Sequence, residues 1–121
     1  MSNILVVEDV QDSAHLARKI LSRSGHSVTL AFSGEEALMA ASHQAIDMVI
    51  LDLGLPDVDG QTLLGMLRRE YNMDQIPIIV CTAWPPATAE KMAQAYGFDD
   101  FISKPYKVLK FMEVVQKNLE K

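Results

Sequence analysis

The 121-residue sequence has one cysteine, no long hydrophobic run and no excess of basic residues. A single cysteine, Cys81, excludes an internal disulfide, and its place at the end of the apolar run 78–81 favours a small buried thiol in a reducing compartment. No run approaches the roughly 20 apolar residues that a membrane span needs, and the strand-like residues 4–7 leave no room for a signal peptide. We therefore expect a soluble, cytoplasmic protein with no membrane partner.

Basic residues are too few to suggest a nucleic-acid-binding protein. Sixteen acidic residues against eleven basic ones give a formal net charge of -5. Such a chain repels phosphate backbones at long range and offers no basic stripe, so direct nucleic-acid binding is disfavoured. The sequence also lacks low-complexity tracts, and its length suits one compact core but not two. We expect a single domain over residues 1–121.

The hydrophobic pattern repeats one unit five times: a short apolar run, a polar punctuation and an apolar stripe at helical spacing. The predicted strands are residues 4–7, 28–31, 48–51, 78–81 and 101–102. The first, third and fourth are continuous apolar runs, as expected for parallel strands covered on both faces. In the second, Val28 and Leu30 alternate with polar residues, which indicates an edge strand.

Helix boundary signals separate these units. Gly25 and Gly97 stand where helices should end, and Ser33 with Glu36 forms a capping box before the second helix. Alternating strands and helices predict right-handed crossovers and a parallel sheet. The fold class is therefore α/β: a doubly wound five-stranded parallel sheet of the flavodoxin-like order 2-1-3-4-5, with five helices on both faces.

Chemically distinctive residues stand at the ends of the predicted strands. They are Glu8 and Asp9 after the first strand, Asp52 after the third, Thr82 after the fourth and Lys104 after the fifth. In this architecture ligands bind at the carboxyl edge of the sheet, so these side chains should converge. Each one alone has an ordinary explanation as a helix cap or a solvated cation. Asp9 or Asp12 would cap the first helix, and Thr82 the fourth.

Together these residues predict a magnesium site with phosphoryl chemistry. Three neighbouring carboxylates repel one another unless a cation neutralises them, and all-oxygen ligands select a hard cation such as Mg²⁺. The three histidines lack the spacing of zinc ligands. A carboxylate beside Mg²⁺ can attack phosphorus and form an aspartyl phosphate. Lys104 and Thr82 would supply a cation and a hydroxyl donor for phosphoryl oxygens.

Four sequence segments, in this order and spacing, resemble the receiver domain of bacterial two-component response regulators, in particular single-domain, chemotaxis-receiver-like members. They are Glu8-Asp9, the stretch DLGLPDVDG at residues 52–60, Thr82-Ala83 and Lys104-Pro105. The resemblance covers the whole chain. Each segment is a weak motif alone, but the set is specific because it falls on successive strand ends.

The resemblance implies a role for each matched residue. Asp52 is the expected phosphoacceptor, and Glu8, Asp9, Asp52 and the main-chain carbonyl of Gly54 are the expected Mg²⁺ ligands. Thr82 and Lys104 would contact the phosphoryl group, Thr82 and Phe101 would form the switch pair, and the peptide before Pro105 is expected to be cis. The chain would be a signalling phosphoacceptor that assists only its own phosphotransfer and dephosphorylation, and not an enzyme.

The resemblance also implies partners and a phosphate lifetime. The donor would be a histidine kinase or a histidine phosphotransfer protein, and the output an unidentified downstream protein. The expected partner face comprises Tyr96, Phe101, Tyr106, Lys107 and Lys110. Gly54 and Trp84 occupy the positions that line the path of an attacking water. Neither can position that water, and Pro85 and Pro86 stiffen the loop, which predicts slow self-dephosphorylation.

Other interpretations remain at this stage. The chain could be a receiver-shaped interaction module that works without phosphorylation, or the N-terminal receiver of a longer response regulator. A Toprim-type metal nuclease would use Asp57 and Asp59 as an Asp-x-Asp pair, but that interpretation leaves Lys104 unexplained. A flavodoxin is disfavoured because Glu8 and Asp9 would repel a phosphate from the first loop.

Overall fold

The computed structural model of the chain describes residues 2–120. Strands and helices alternate throughout this range. In chain order they are β1 (Asn3–Val7), α1 (Gln11–Arg23), β2 (Ser27–Ala31), α2 (Gly34–His43), β3 (Met48–Asp52), α3 (Gly60–Glu70), β4 (Ile78–Thr82), α4 (Pro86–Tyr96), β5 (Asp100–Ser103) and α5 (Val108–Leu119). Within the described residues, no helix is both long and apolar enough to cross a bilayer.

The five strands form one parallel sheet in the order β2-β1-β3-β4-β5, which confirms the predicted topology. The pairing between strands extends slightly beyond the apolar runs of the sequence. Asp52 pairs with Cys81, and Thr82 pairs with Ser103, so both functional candidates are the last residues of their strands. The register thus fixes the backbone beneath these two side chains at the same edge of the sheet.

Two hydrophobic clusters lie on opposite faces of the sheet because alternate residues of each central strand point to opposite sides. Leu51 and Val80 face the cluster that contains Leu63 of α3. Ile50 and Ile79 face the cluster that contains Phe111 of α5. The strands β1, β3 and β4 are buried on both faces, whereas β2 is only partly buried, as the sequence predicted for an edge strand.

The predicted helix boundary signals are present. Ser33 is the N-cap of α2 and its hydroxyl accepts a hydrogen bond from the Glu36 N–H at 3.1 Å. Glu36 in turn accepts from the Phe32 N–H at 3.0 Å, one residue earlier than in a standard capping box. Gly97 ends α4 with φ of 91°, a left-handed conformation that strains residues with a Cβ.

The loop after β3 is fixed by two aspartates that cap neighbouring helices. Asp57 accepts hydrogen bonds from the N–H groups of Gly34 (2.8 Å) and Glu35 (3.0 Å) at the start of α2. Asp59 is the N-cap of α3 and accepts from the Thr62 N–H at 2.8 Å. Because both carboxylates serve as helix caps, the metal-nuclease interpretation of this pair loses its support.

The opposite edge of the sheet is held by Arg68 of α3. Its guanidinium donates to the main-chain oxygens of Met73 (2.8 Å) and Ile76 (3.1 Å) and to Asp99 Oδ2 (3.0 Å). Asp99 also accepts from the Ile78 N–H at 2.8 Å. These bonds join α3 to the start of β4 and to the segment before β5, far from the carboxyl edge where the candidate site lies.

Candidate functional site

Three carboxylates meet at the carboxyl edge of the central strands. Glu8 and Asp9 directly follow β1, and Asp52 ends β3, so adjacent strands bring them together. One carboxylate oxygen from each lies within 4.8 Å of the others. Glu8 is buried, with 1% of its surface exposed, whereas Asp52 is partly buried and Asp9 is exposed. The cluster therefore has a buried inner side and an open outer side.

Lys104 reaches into this cluster from the loop after β5. Its ammonium group donates to Asp52 Oδ2 at 3.0 Å and to Glu8 Oε1. The Lys104 N–H donates to the Thr82 carbonyl at 2.9 Å, and the Lys104–Pro105 peptide bond is cis, the isomer expected from the sequence. Lys104 thus contacts two of the three carboxylates directly.

Glu8 and Asp52 differ in protonation behaviour because their surroundings shift the two pKa values in opposite directions. Burial, followed by the hydrogen bond with Asp52, raises the pKa of Glu8 to about 7 in spite of the opposing effect of Lys104. Burial acts to raise the pKa of Asp52 as well, but its hydrogen bonds with Glu8 and Lys104 outweigh that effect and lower the pKa. Asp52 is therefore ionised at neutral pH, whereas Glu8 is only partly ionised there.

The ammonium of Lys104 remains charged in this setting. Its burial acts to lower the pKa, but the hydrogen bonds with Glu8 and Asp52 outweigh burial and raise it. One ammonium group faces three carboxyl groups, so full ionisation would leave excess negative charge in a small volume. An all-oxygen set with this excess fits a hard divalent cation such as Mg²⁺.

These side chains are not used as helix caps. The N-cap of α1 is Val10 and has no side-chain cap bond, so the alternative explanation of Asp9 as the cap of this helix does not hold. Thr82 likewise does not cap α4, because the N-cap of that helix is Pro85. The Thr82 hydroxyl instead accepts a hydrogen bond from the Trp84 N–H at 3.1 Å. Both residues therefore follow or end strands at the carboxyl edge without capping the next helix.

Gly54 and Trp84 each follow a strand of the site by two residues, after Asp52 and Thr82 respectively. The Gly54 N–H donates to Asp52 Oδ1 at 3.3 Å, and a Cβ at Gly54 would meet no atom within 4 Å. Solvent thus has open access on that side. Trp84 is 47% exposed and belongs to the wall of an apolar groove.

This groove, of about 730 Å³, lies beside the site between α4, β5 and α5. Its lining includes Ala83, Trp84, Pro85, Pro86, Phe101, Lys104, Pro105, Lys107, Lys110 and Phe111. Phe101 is half-buried, and it also packs against the α2–α4 side of the core. Three residues of the expected partner face, Phe101, Lys107 and Lys110, thus lie together, and Tyr96 is exposed on α4 without lining the groove.

The structure does not place Tyr106 on that face, contrary to the expectation from the sequence. Its partly buried ring packs edge-on against Phe111 with a centroid distance of 5.0 Å, against the cluster on the α1–α5 side. Cys81 belongs to the same cluster, and burial raises the pKa of its thiol to about 12. Tyr106 and Cys81 therefore stabilise the interior and are poorly placed to contact a partner.

Comparisons with known proteins show which family the chain resembles. The model of the response regulator receiver domain matches residues 4–116. The response regulator ArlR of Staphylococcus haemolyticus is 34% identical over 108 residues, which cover 89% of this chain and 48% of ArlR. The polar-differentiation response regulator DivK of Brucella ovis is 30% identical over 117 residues, covering 97% of this chain and 95% of DivK.

A solved structure extends the likeness to three dimensions. The crystal structure of a putative response regulator from Chloroflexus aurantiacus superposes with a TM-score of 0.91 at 29% identity, covering 99% of this chain and 98% of that one. The chain spans only about half of ArlR, so it is similar there to one part of a longer protein. Because the family model matches residues 4–116 and DivK is similar over nearly its whole length, the chain belongs to the response-regulator receiver domains of two-component systems.

Proposed function

We propose that this receiver domain accepts a phosphoryl group on Asp52 in a reaction that requires Mg²⁺. The observation that carries the proposal is the position of Lys104, whose ammonium group contacts both Asp52 and Glu8 within one carboxylate cluster. This arrangement keeps Asp52 ionised, which a nucleophile requires, and leaves a cation beside it for incoming phosphoryl oxygens.

The chemistry is a simple displacement. An Asp52 oxygen forms a bond to phosphorus as the bond between phosphorus and the donor nitrogen of a phosphohistidine breaks, and the released imidazole takes up a proton. Lys104 and the Thr82 hydroxyl donate hydrogen bonds to the phosphoryl oxygens. Glu8, Asp9, Asp52 and the main-chain carbonyl of Gly54 would hold Mg²⁺, which neutralises charge on the carboxylates and phosphoryl oxygens when bound.

A protein contact is the proposed output. Phosphorylation draws the Thr82 hydroxyl toward Asp52 and frees space that the half-buried Phe101 fills by turning inward. Because Phe101 lines the apolar groove beside Lys107 and Lys110, its movement changes the surface that a downstream protein meets. The donor is a histidine kinase or a histidine phosphotransfer protein, and both contacts take place in the cytoplasm.

The phosphorylated state is proposed to decay slowly. A water must approach phosphorus opposite the aspartyl oxygen, and polar side chains nearby would orient it. Gly54 has no side chain, and Trp84 offers an indole in place of a carboxylate or amide. The domain therefore assists the loss of its phosphoryl group only weakly.

The direct test is intact-mass measurement after incubation with acetyl phosphate and Mg²⁺. We expect the mass of one phosphoryl group to be added to the wild type, and none in Asp52→Asn or after addition of a chelator. Asp57→Asn is the matched control because it removes another carboxylate from the loop after β3, one that caps a helix and is not the expected phosphoacceptor. Equal labelling of Asp52→Asn and wild type would overturn the assignment.

A further inference from the structure

Asn118 is a buried polar residue on the apolar face of α5. It is 1% exposed, and it follows Val114 by one helical turn and Phe111 by two, so the three side chains share one face. The other buried residues of this helix are apolar. Within residues 2–120, no group donates a hydrogen bond to the Asn118 carbonyl oxygen. A buried amide that is only partly hydrogen-bonded costs stability, so an apolar residue would serve packing better at this position.

The amide nitrogen of Asn118 is bonded to a charged group of the sheet. It donates to Asp100 Oδ2 at 2.9 Å and to the main-chain oxygen of Val114 at 2.8 Å. Because both neighbours are acceptors, they fix the orientation of the amide. Lys117 Nζ lies 3.6 Å from the same Asp100 oxygen, but its side chain is exposed and such a contact contributes little. Asn118 is therefore the buried partner that α5 offers to Asp100.

Asp100 in turn contacts the main chain of Phe101, the residue that is proposed to move on phosphorylation. Asp100 Oδ1 accepts a hydrogen bond from the Phe101 N–H at 2.8 Å, while Oδ2 accepts from Asn118. One carboxylate thus joins α5 to the backbone that carries the Phe101 ring. Backbone geometry restricts the χ1 rotamers that a side chain can adopt, so a group that holds this main chain also affects where the ring can lie.

We infer that Asn118 is a positioning residue for Phe101. Through Asp100 it holds the Phe101 main chain in the conformation of this structure, which favours the half-buried ring that lines the apolar groove. Without the Asn118 amide, Asp100 loses its buried partner on α5, and the ring is distributed more evenly between two rotamers. The inference rests on the proposed function only in taking Phe101 as the residue that moves.

The directional character of the Asn118–Asp100 bond favours a positioning role over a packing role. Elsewhere α5 and β5 meet through apolar side chains such as Phe111 and Ile102, which belong to one cluster. Apolar contacts tolerate small shifts of one element against the other, whereas a hydrogen bond weakens steeply when its angle changes. The bond therefore fixes the position of α5 relative to the main chain at the start of β5.

NMR scalar couplings of the Phe101 side chain, measured on unphosphorylated protein, test the inference because they report the populations of its χ1 rotamers. We expect Asn118→Leu to raise the ratio of the minor to the major rotamer about threefold or more, because it removes a charge-assisted hydrogen bond. Asn118→Ala removes the same amide without adding volume and should give the same result. Lys117→Met is the matched control because it removes the exposed contact with the same carboxylate, and its ratio should equal that of wild type.

Val115→Ala separates positioning from a general loss of stability. It removes buried apolar volume from the same helix and leaves the Asn118–Asp100 bond in place. It should lower the urea midpoint and leave the Phe101 rotamer ratio unchanged. A ratio that changes as much in Val115→Ala as in the Asn118 variants would overturn the inference, and so would an unchanged ratio in the Asn118 variants.

A double variant tests whether Asn118 acts through Asp100. Asp100→Ala breaks the contact from the sheet side, and adding Asn118→Ala to it should cause no further change in the rotamer ratio. A further change would overturn this route. These measurements need no phosphate on Asp52, so they remain decisive if the phosphoacceptor proposal fails. A Phe101 ring that responds to Asn118 but not to phosphorylation would refute the proposed output and support the positioning role.

Discussion

Lys104 sets the charge state of the site through two contacts. Its ammonium bonds to Glu8 and to Asp52, and the pKa values of these two acids shift in opposite directions because the hydrogen bond between them raises that of Glu8 and lowers that of Asp52. Burial raises the pKa of Glu8 to about 7, whereas hydrogen bonds from its neighbours lower that of Asp52. Asp52, the last residue of β3, is thus the more acidic of the two, and Glu8 takes up a proton first as the pH falls.

Trp84 is the residue from which we predict the lifetime of the aspartyl phosphate. If its ring restricts the approach of water, Trp84→Ala should release phosphate several-fold faster than wild type, and Trp84→Phe should stay close to wild type. The measurement is loss of the phosphorylated mass over time after the donor is removed. Tyr96→Ala is the control because it removes another exposed aromatic ring from α4. An unchanged rate of phosphate loss in Trp84→Ala would show that the ring does not restrict the approach of water and only lines the groove.

The sequence identifies residues whose position follows from a local pattern, and it does not identify residues whose contacts join distant parts of the chain. Asp52, Thr82 and Lys104 follow apolar runs, and strand order alone brings them together at one edge. The cap formed by Asp57 joins residues 23 positions apart, and Arg68 bonds to a residue 31 positions away. The hydrophobic periodicity of a strand or helix does not predict such long-range contacts. Tyr106 was placed wrongly because spacing did not show which side of the sheet its ring would occupy.

Among the secondary-structure elements, the loop between β3 and α3 stabilises the start of α2 through the Asp57 carboxylate. The pKa of Asp57 is lowered by the N–H groups of Gly34 and Glu35. The native state therefore binds fewer protons here than the unfolded chain, whose carboxyl has its usual value of 3.8. The contribution of Asp57 to stability is fully present above that value and is lost as pH falls through the lowered native pKa.

We predict that Asp57→Asn is less stable than wild type at neutral pH and that the difference shrinks in acid. Urea unfolding of both proteins between neutral pH and about pH 3 measures this difference. Asp74→Asn, which alters an exposed carboxylate before β4, should give no comparable difference. A deficit for Asp57→Asn that is constant across the pH range would show that the ionised cap is not its source.

A second prediction for the elements concerns two helical glycines. A Cβ at Gly34 would lie 2.2 Å from Val58 Cγ1, so Gly34→Ala should cost about 1–3 kcal/mol of unfolding free energy by overpacking the loop. At Gly65 a Cβ would meet the mobile end of Arg69 at 3.0 Å, and Gly65→Ala should gain up to about 1 kcal/mol from helix propensity. Chemical denaturation measures both. Equal effects of the two substitutions would contradict the close packing of the loop on α2.

For the molecule as a whole, the sheet links the site to the proposed output surface. Thr82 ends β4, which pairs with β5, and Phe101 lies one strand over. We predict that phosphorylation shifts the amide NMR signals of Thr82, Phe101, Lys107 and Lys110, and that Mg²⁺ alone shifts only signals near the carboxylates. Spectra of Asp52→Asn with the same donor provide the control. Shifts confined to α1 and α2 would contradict this route.

The fold itself was the most predictable property. Five repeats of a short apolar run and a helical stripe allow few arrangements, because parallel strands need right-handed crossovers and covered faces. The strands β3 and β4 each end one residue beyond the predicted runs because the hydrogen bonds between strands extend to Asp52 and Thr82. Side-chain charge states depend on burial and on neighbours from distant strands, so they required the three-dimensional arrangement.

The central claim is that Asp52 carries the phosphoryl group, and locating the acyl phosphate tests it most directly. Borohydride reduces an aspartyl phosphate to homoserine, which peptide mass spectrometry identifies by position. After incubation with acetyl phosphate and Mg²⁺, we predict homoserine at position 52 and unmodified aspartate at Asp9, Asp57 and Asp59. Homoserine at any of those three positions, or at none in protein that carries the added phosphoryl mass, would contradict the account.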